Sequence, residues 1–402
     1  MLFAHIADCH LGSWRQPELQ ELSTQAFAQA INKCIKKNVD CVLVAGDLFD
    51  SALPSIDVLK KVVGQLKKLK DNNIACYVIA GSHDYSVSGK TFLDVLEKAG
   101  LCENAAKFKE TADGVIVRPI SNKNFVIAGL PGKKAGLERN FFKNLRIQLQ
   151  EEKKPKIFML HTTLTEAKPD GIDFLESVDA NMLPKGFSYY AAGHLHVPFR
   201  IEKDKKLIVY PGCLFPNSFS EFEKIKYGSF CFVDLADKIK IEKQEIKLRD
   251  VLNLCINVDG LSADNASKKI TEEIKKCETK NKIVTLRIEG ELASGKTTDL
   301  RFEEPSDCYL LLKNSTGLTS KEFKIEKADT SKSISQIEKE IITRYIQKKE
   351  QKGKGGKGEK EFNKNILQLI EALDTEKQEG EKNTVFEQRI KDEMGKIFGL
   401  EK

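Results

Sequence analysis

Five of the six histidines in this chain stand just past a short apolar run, and aspartates stand beside them. Asp8 and His10 follow the run at 2–7. Asp47 follows 41–45, His83 and Asp84 follow 75–80, His161 follows 157–160, and His194 and His196 follow 189–192. Such runs, bounded by polar stretches, read as buried strands. In an α/β sheet, ligands gather at the C-terminal strand ends. One histidine in such a place is more simply a packed or surface residue. Five of them, with carboxylates, are what a metal site needs. Imidazoles suit Mn, Fe and Zn, carboxylates keep the donor set hard enough for Mn, and a carboxylate can bridge two cations. Two metals about 3.5–4 Å apart can activate a water and hold the attacking and leaving oxygens of a phosphate. His5 is the exception. It lies inside the first run and is expected to be packed.

The elements that must position these groups follow from the hydropathy pattern. Further strands are expected at 125–129, 207–210 and 230–233, and helix-period stretches lie between them, such as Ile56, Leu59, Val63 and Leu66 with Val62 and Leu69. This is an α/β domain over residues 1–236. The texture then changes. Strands at 251–258 and 283–288 enclose a helical face of Ala263, Ala266, Ile270, Ile274 and Cys277, and a strand at 308–312 follows. That is a small β-α-β domain over 237–330. Residues 331–402 read as helical. Ile334, Ile337, Ile341 and Tyr345 mark one helix, and Phe362, Ile366, Ile370 and Leu373 a second. A third carries Phe386, Ile390, Met394 and Ile397, with Thr384 and Glu387 in capping-box spacing. A Lys/Gly-rich linker is expected near 348–361.

Composition narrows the class. The 402 residues suggest two or three domains. A net charge of +6 favours contact with polyanions without requiring it. The ten cysteines include no CxxC pair, which argues against a structural zinc site and suits a reducing compartment. The start of the chain lacks the pattern of a signal peptide. No apolar run approaches the ~20 residues of a membrane helix. The expected setting is intracellular, cytoplasmic or nucleoid-associated.

The order DxH, GDxxD, GSHD, H, GHxH resembles the calcineurin-like metallophosphoesterases. The segments FAHIADCHLG, VAGDLFD, IAGSHD, HTT, AAGHLH and YPGCLFPNSFSE, in that order, resemble more narrowly the Mre-eleven/SbcD DNA repair nucleases. The resemblance is strong to about residue 235 and weaker beyond. It implies a layered-sheet nuclease domain, a DNA-capping domain and a helical tail. It also implies two Mn2+ per subunit, one held by Asp8, His10, Asp47 and His196, the other by Asp47, His161, His194 and Ser82. Asp47 would bridge them. His83 would sit by the scissile phosphate as the catalytic residue. The implied activity is Mn-dependent 3′-to-5′ exonuclease and single-strand endonuclease action on DNA. The implied partners are a Rad-fifty-type coiled-coil ATPase, gripped by the C-terminal helices, and a second copy of the chain. The second copy would pair through helices at Leu59 to Leu66 and Phe92 to Leu96, although the same stripe reads equally as core. Two positions depart from the pattern. Ser82 stands where the family has an asparagine whose amide oxygen is a ligand, and a hydroxyl is a shorter, weaker one. Asp50 stands where some members have histidine; a catalytic role competes there with that of a loop carboxylate.

Residues 290–297, GELASGKT, fit the P-loop pattern, but Pro305 follows an alternating stretch where a phosphate-cradling helix should be. A hairpin turn is expected, with Lys296 and Arg301 as candidate DNA-backbone contacts. Two other functions fit the residues: a phosphodiesterase or phosphatase for small substrates, and a scaffold that binds DNA and the ATPase through an impaired site.

Overall fold

The computed structural model describes residues 1–86, 89–133, 137–149, 154–168, 177–236 and 238–323; beyond these it describes 336, 341–343, 365, 368–369, 372–378 and 381–398. The chain divides into two compact units, Met1–Glu322 and Phe323–Lys402.

The first unit is built on two six-stranded sheets. One runs in the order β15 (Lys240–Ile246), β14 (Gly228–Asp234), β1 (Leu2–Ile6), β2 (Cys41–Ala45), β3 (Ala75–Ile79) and β4 (Glu103–Asn104). The other runs β12 (Phe199–Lys203), β13 (Lys206–Tyr210), β11 (Tyr189–Gly193), β10 (Lys156–His161), β8 (Val126–Gly129) and β7 (Ile120–Ser121). The central strands of both are parallel. Parallel strands are covered on both faces, which is why they read as unbroken apolar runs. In β1, Phe3 joins Leu43, Ile79, Ile157, Met159 and Tyr189 in the core between the sheets. Ala4 and Ile6 face the other way, into a core shared with α1 (Pro17–Lys37), α2 (Ile56–Asp71) and α3 (Phe92–Lys98). A small sheet of β5 (Phe108–Thr111), β6 (Gly114–Val117) and β9 (Leu145–Ile147), with α4 (Arg139–Lys143), covers part of the second sheet's outer face.

After α5 (Phe219–Ile225) and the β14–β15 hairpin, the chain enters a parallel three-stranded sheet. It is formed by β16 (Val251–Asn257), β17 (Ile283–Leu292) and β18 (Leu310–Ser320), with α6 (Ala263–Lys275) packed on it. Val251, Ile283 and Leu312 also join the helix-side core of the first sheet. Strand β15 is not legible in hydropathy. Its sequence KIEKQEI is mostly polar, because it is an edge strand with its outer positions in solvent.

Two local expectations are corrected. The segment at 290–297 is not a hairpin turn. It leaves β17 through a single 3-10 turn, Thr297–Asp299, and returns as β18 parallel to β17. No helix follows the glycines, so the phosphate cradle is absent. In the second unit, helix Asn383–Ile397 starts after Lys382 without a side-chain cap, so Thr384 lies inside the first turn rather than at its head. Its Phe386, Ile390, Met394 and Ile397 are half-buried and none of its residues is fully buried. Ile334, Ile337, Tyr345, Phe362, Ile366, Ile370 and the 348–361 tract lie outside the described residues. Among the described residues, no helix is long and apolar enough to cross a membrane.

His5 is packed. It is fully buried between the sheets, with Nδ1 2.9 Å from the Tyr189 hydroxyl. Burial pushes its pKa down to about 3. The unfolded chain therefore takes up this proton first as pH falls. The stability His5 contributes is present above about 6.5 and is lost as pH drops towards 3, at about 1.4 kcal/mol per pH unit. Urea unfolding at pH 7 and pH 5 should show the wild type losing about 2 kcal/mol that His5→Gln retains. Equal losses would assign the slope to other groups.

Candidate metal centre

The loops after β1, β2, β3, β10 and β11 meet at one edge of the two sheets, and nine residues singled out in the sequence converge there, Asp50 among them. Asp8, His10, Asp47 and His161 are buried. His194 and His196 lie beside them, and Ser82 and His83 are nearer the mouth. A cleft of about 360 Å³ is lined by His10, Asp47, Asp50, Ser82, His83, His194 and His196, with Ser13 and Asn217. Lys296 and Arg301 do not line it. The Arg301 guanidinium instead donates to the Thr298 and Leu300 carbonyls at 2.7 and 2.9 Å.

Backbone strain marks the site. Asp8, His10, Asp47 and His194 have φ of 50°, 42°, 49° and 92°. Left-handed backbone at non-glycine residues costs on the order of 1–3 kcal/mol each and persists where the surroundings impose it. Here the surroundings are hydrogen bonds. Both Asp8 carboxylate oxygens accept from His194 N, at 2.9 and 3.0 Å. Asp47 Oδ1 accepts from His83 N at 2.8 Å. Asp84, the last residue of GSHD, stays out of the cleft. Its carboxylate accepts from Gly81 N and Phe49 N at 2.9 and 3.0 Å, which ties the Asp47 loop to the His83 loop. Burial, then the Asp47 charge, raises its pKa to about 6.

Close approach explains the glycines. A methyl on Gly81 would lie 2.2 Å from Asp47 Oδ1, and one on Gly132 2.6 Å from the His161 ring. Gly81 belongs to a motif read in the sequence; Gly132 carries no such signal.

Two donor groups at the strand ends have ligand atoms within 4.8 Å of one another: Asp8, His10 and His196; and Asp47, His161 and His194. His10, Asp50 and His83 make a further such group at the mouth, and His196, Cys213 and Glu221 another behind it. The geometry of the first two calls for a cation. His161 Nδ1 is 2.9 Å from the Ala45 carbonyl, which can only accept, so Nδ1 carries the hydrogen. Nε2 then presents its lone pair 3.1 Å from Asp47 Oδ2, buried and without hydrogen-bond geometry. Without a metal, a proton fills this role. Burial alone would lower the His161 pKa, but the Asp47 carboxylate holds it at about 10. Asp47, which burial alone would raise, is held well below the usual carboxylate range by His161 and His10. His194, pushed down to about 3 by burial and by His161, is neutral and free to ligate. In the Asp8 group, His10 Nε2 and His196 Nε2 face each other at 3.2 Å. Their outer nitrogens are braced by carboxylates: His10 Nδ1 by Asp50 Oδ1 at 3.1 Å, and His196 Nδ1 by Glu221 Oε1 at 3.0 Å. Such outer partners fix ring orientation and raise ligand basicity. Ser82 Oγ lies 3.5 Å from Asp47 Oδ2.

His83 is half-exposed at the mouth, edge-on to His10 with ring centres 4.7 Å apart. Its Nδ1 is 2.9 Å from the Asp50 carbonyl oxygen. Asp50 therefore braces both histidines. Glu221 closes the segment YPGCLFPNSFSE, yet the sequence assigns it no role. It stands three residues after Ser218, which caps α5, so the spacing reads as an ordinary capping box. The carboxylate is turned to His196 instead.

The family described as calcineurin-like phosphoesterase matches residues 1–198. Among curated proteins, the chain is similar to three called DNA double-strand break repair protein Mre11. That of Archaeoglobus fulgidus is 27% identical over 318 residues, covering 75% of this chain and 70% of the relative. That of Methanocaldococcus jannaschii is 30% identical over 285 residues, covering 67% and 73%. That of Sulfolobus acidocaldarius is 30% identical over 301 residues, covering 72% and 75%.

Proposed function

The chain belongs to the Mre11 family of DNA double-strand break repair proteins, and on that premise we propose that it is a Mn-dependent DNA nuclease. Its activity is 3′-to-5′ exonuclease and single-strand endonuclease, by two-metal phosphodiester hydrolysis. The observation that carries this reading is the convergence of buried lone pairs on one cleft, above all His161 Nε2 on Asp47 Oδ2.

Asp8, His10, Asp47 and His196 fit one Mn2+. Asp47, His161 and His194 fit a second, with Ser82 as its weakest donor. When bound, the pair supplies Lewis acidity at the phosphate and a water activated at neutral pH. The protein's own groups do the rest. Asp47 reaches both donor groups. Asp50 and Glu221 hold the rings of His10 and His196. His83 stands at the mouth, where a phosphodiester enters, and donates to the phosphate or the leaving oxygen. Its Nδ1 hydrogen is committed to the Asp50 carbonyl, so donation to the substrate comes from Nε2 of the doubly protonated ring.

The three-stranded sheet module caps DNA over this cleft, with Lys296 and Arg301 as secondary backbone contacts. A homodimer forms through α2 and α3. Much of the stripe at Leu59 to Leu66 is core, since Val62 and Leu66 are buried, as are Leu93 and Leu96. Leu53, Ile56 and Val95 are 76%, 76% and 56% exposed beside it, and a second copy would cover them. The C-terminal helices bind a Rad-fifty-type coiled-coil ATPase, and the half-buried stripe of Asn383–Ile397 is the face that suits it. The expected setting is intracellular.

End-labelled duplex DNA incubated with Mn2+ and pure protein tests the activity, with Asp8→Ala as the control. Cleavage equal in both would sink the site assignment. Turnover of small nitrophenyl esters alone would favour a phosphatase, and ATPase binding without cleavage a scaffold. Deleting residues 362–402 should leave Mn-dependent cleavage unchanged and abolish capture of the ATPase in a pull-down. Retained capture would place that interface elsewhere.

A further inference from the structure

We propose that Glu221 is a positioning residue for His196, and that the three-stranded sheet holds it in place by gripping helix α5. This rests on His196 being a metal ligand, as proposed above.

The chain of contacts is continuous. The Glu221 carboxylate can only accept, so the hydrogen of His196 lies on Nδ1 and the lone pair of Nε2 is directed into the cleft. Glu221 is fixed in turn. Its Oε2 accepts from Asn217 N at 2.7 Å, and its own N–H donates to Ser218 Oγ at 3.2 Å. Yet α5 has only seven residues, too few to hold a helical shape unaided. Its support comes from the neighbouring sheet. Asn253 on β16 donates through Nδ2 to the Phe222 and Glu223 carbonyls, at 3.1 and 3.2 Å. Thr285 on β17 donates to Asn253 Oδ1 at 2.8 Å, which sets the orientation of that amide. Arg287, two residues further along β17, makes a two-pronged bond to Glu223, Nε to Oε1 at 2.8 Å and Nη2 to Oε2 at 2.6 Å. The same guanidinium lies over the Phe219 ring, 5.2 Å from its centre. Phe222 is buried in one core with Val251, Ile283 and Leu312.

The other rings are braced differently. His10 leans on Asp50 and His161 on the Ala45 carbonyl, both supplied by the chain around β2. A change in how the three-stranded sheet grips α5 therefore reaches His196 and leaves the brace of His161 untouched. The sheet is thereby coupled to one metal position and not the other.

The test is Mn2+ binding to the full chain, followed by calorimetry and by the electron paramagnetic resonance of free Mn2+. It compares the wild type with His196→Ala, Glu221→Gln, Arg287→Met and the swapped pair Arg287→Glu with Glu223→Arg. A carboxamide offers one acceptor oxygen to three donors, His196 Nδ1, Asn217 N and the Cys213 thiol. Glu221→Gln should weaken one of the two sites by roughly 10–100-fold. Arg287→Met should weaken the same site by roughly 2–30-fold, and the swap should restore most of that loss. Circular dichroism and the thermal midpoint check the fold. Should Glu221→Gln not fold, Glu221→Asp, one methylene shorter, carries the same expectation. Wild-type affinity in Glu221→Gln, with a site lost in His196→Ala, overturns the role of Glu221. A weakened Glu221→Gln beside an unchanged Arg287→Met overturns the link to the sheet. Unchanged binding in His196→Ala overturns the ligand set itself and this inference with it.

Discussion

Asp47→Ala is expected to lose Mn-dependent DNA cleavage by at least about a thousandfold, together with measurable binding of both Mn2+ ions. Asp47 is the residue whose carboxylate reaches both donor groups: Oδ2 lies 3.1 Å from His161 Nε2 and 3.6 Å from His10 Nε2. Metal stabilisation of a phosphoryl transition state contributes several kcal/mol, and each ~1.4 kcal/mol is a factor of ten in rate. A bridging ligand must exceed the ~10–100-fold typical of an outer partner. The variant should still fold. Removing one member of a buried ion pair commonly costs about 3–5 kcal/mol because the other charge is stranded. His161 escapes most of that cost. Its pKa near 10 is held up by Asp47 against burial, so without Asp47 the ring sheds its proton and is buried neutral. Calorimetric Mn2+ titration and end-labelled DNA assays measure the two losses. Cleavage within tenfold of the wild type would place the reaction at another site.

Most of the candidate site was legible in the sequence because of how parallel sheets are built. Central strands such as β2 and β11 are buried on both faces and carry no charged side chain. Polar groups therefore appear abruptly at their C-terminal ends, and Asp47, His194 and His196 stand out against CVLVA and YYAAG. The braces were not legible. Glu221 is a carboxylate at the third position of a helix, where a capping residue is ordinary, and only the fold shows it turned to a ring 25 residues away. For Asp50 the sequence leaves a catalytic role and that of a loop carboxylate side by side, and its brace on His10 and His83 is visible only in the fold. Gly132 is defined by distance to the His161 ring, which no local pattern encodes. Strand β15 is polar because it is an edge, and hydropathy cannot separate such a strand from a loop. The return of the chain after Gly290 to lie parallel to β17 is a choice of topology, which turn chemistry alone does not decide.

His83→Ala separates chemistry from metal binding. It is expected to lower DNA cleavage by about 10²–10⁴-fold, the range for a positioned proton donor, with Mn2+ affinity and stoichiometry unchanged. The two effects part because His83 serves the site in two ways. Its backbone N–H, which the substitution keeps, donates to Asp47 Oδ1 at 2.8 Å and helps fix that carboxylate. Its ring is 48% exposed at the mouth and is held by the Asp50 carbonyl. It shares a group within 4.8 Å with His10 and Asp50 at the mouth and belongs to neither group that contains Asp8 or Asp47. Removing the ring should leave the metals and take away only the donor nearest an entering phosphate. A matched loss of Mn2+ binding would make His83 a ligand, and unchanged cleavage would move the proton donor elsewhere. The contrast with Asp47→Ala also discriminates against an impaired scaffold. A chain that only bound DNA and its partner would lose nothing in cleavage from either change, whereas a nuclease loses the same product by two routes, one with its metals gone and one with them in place.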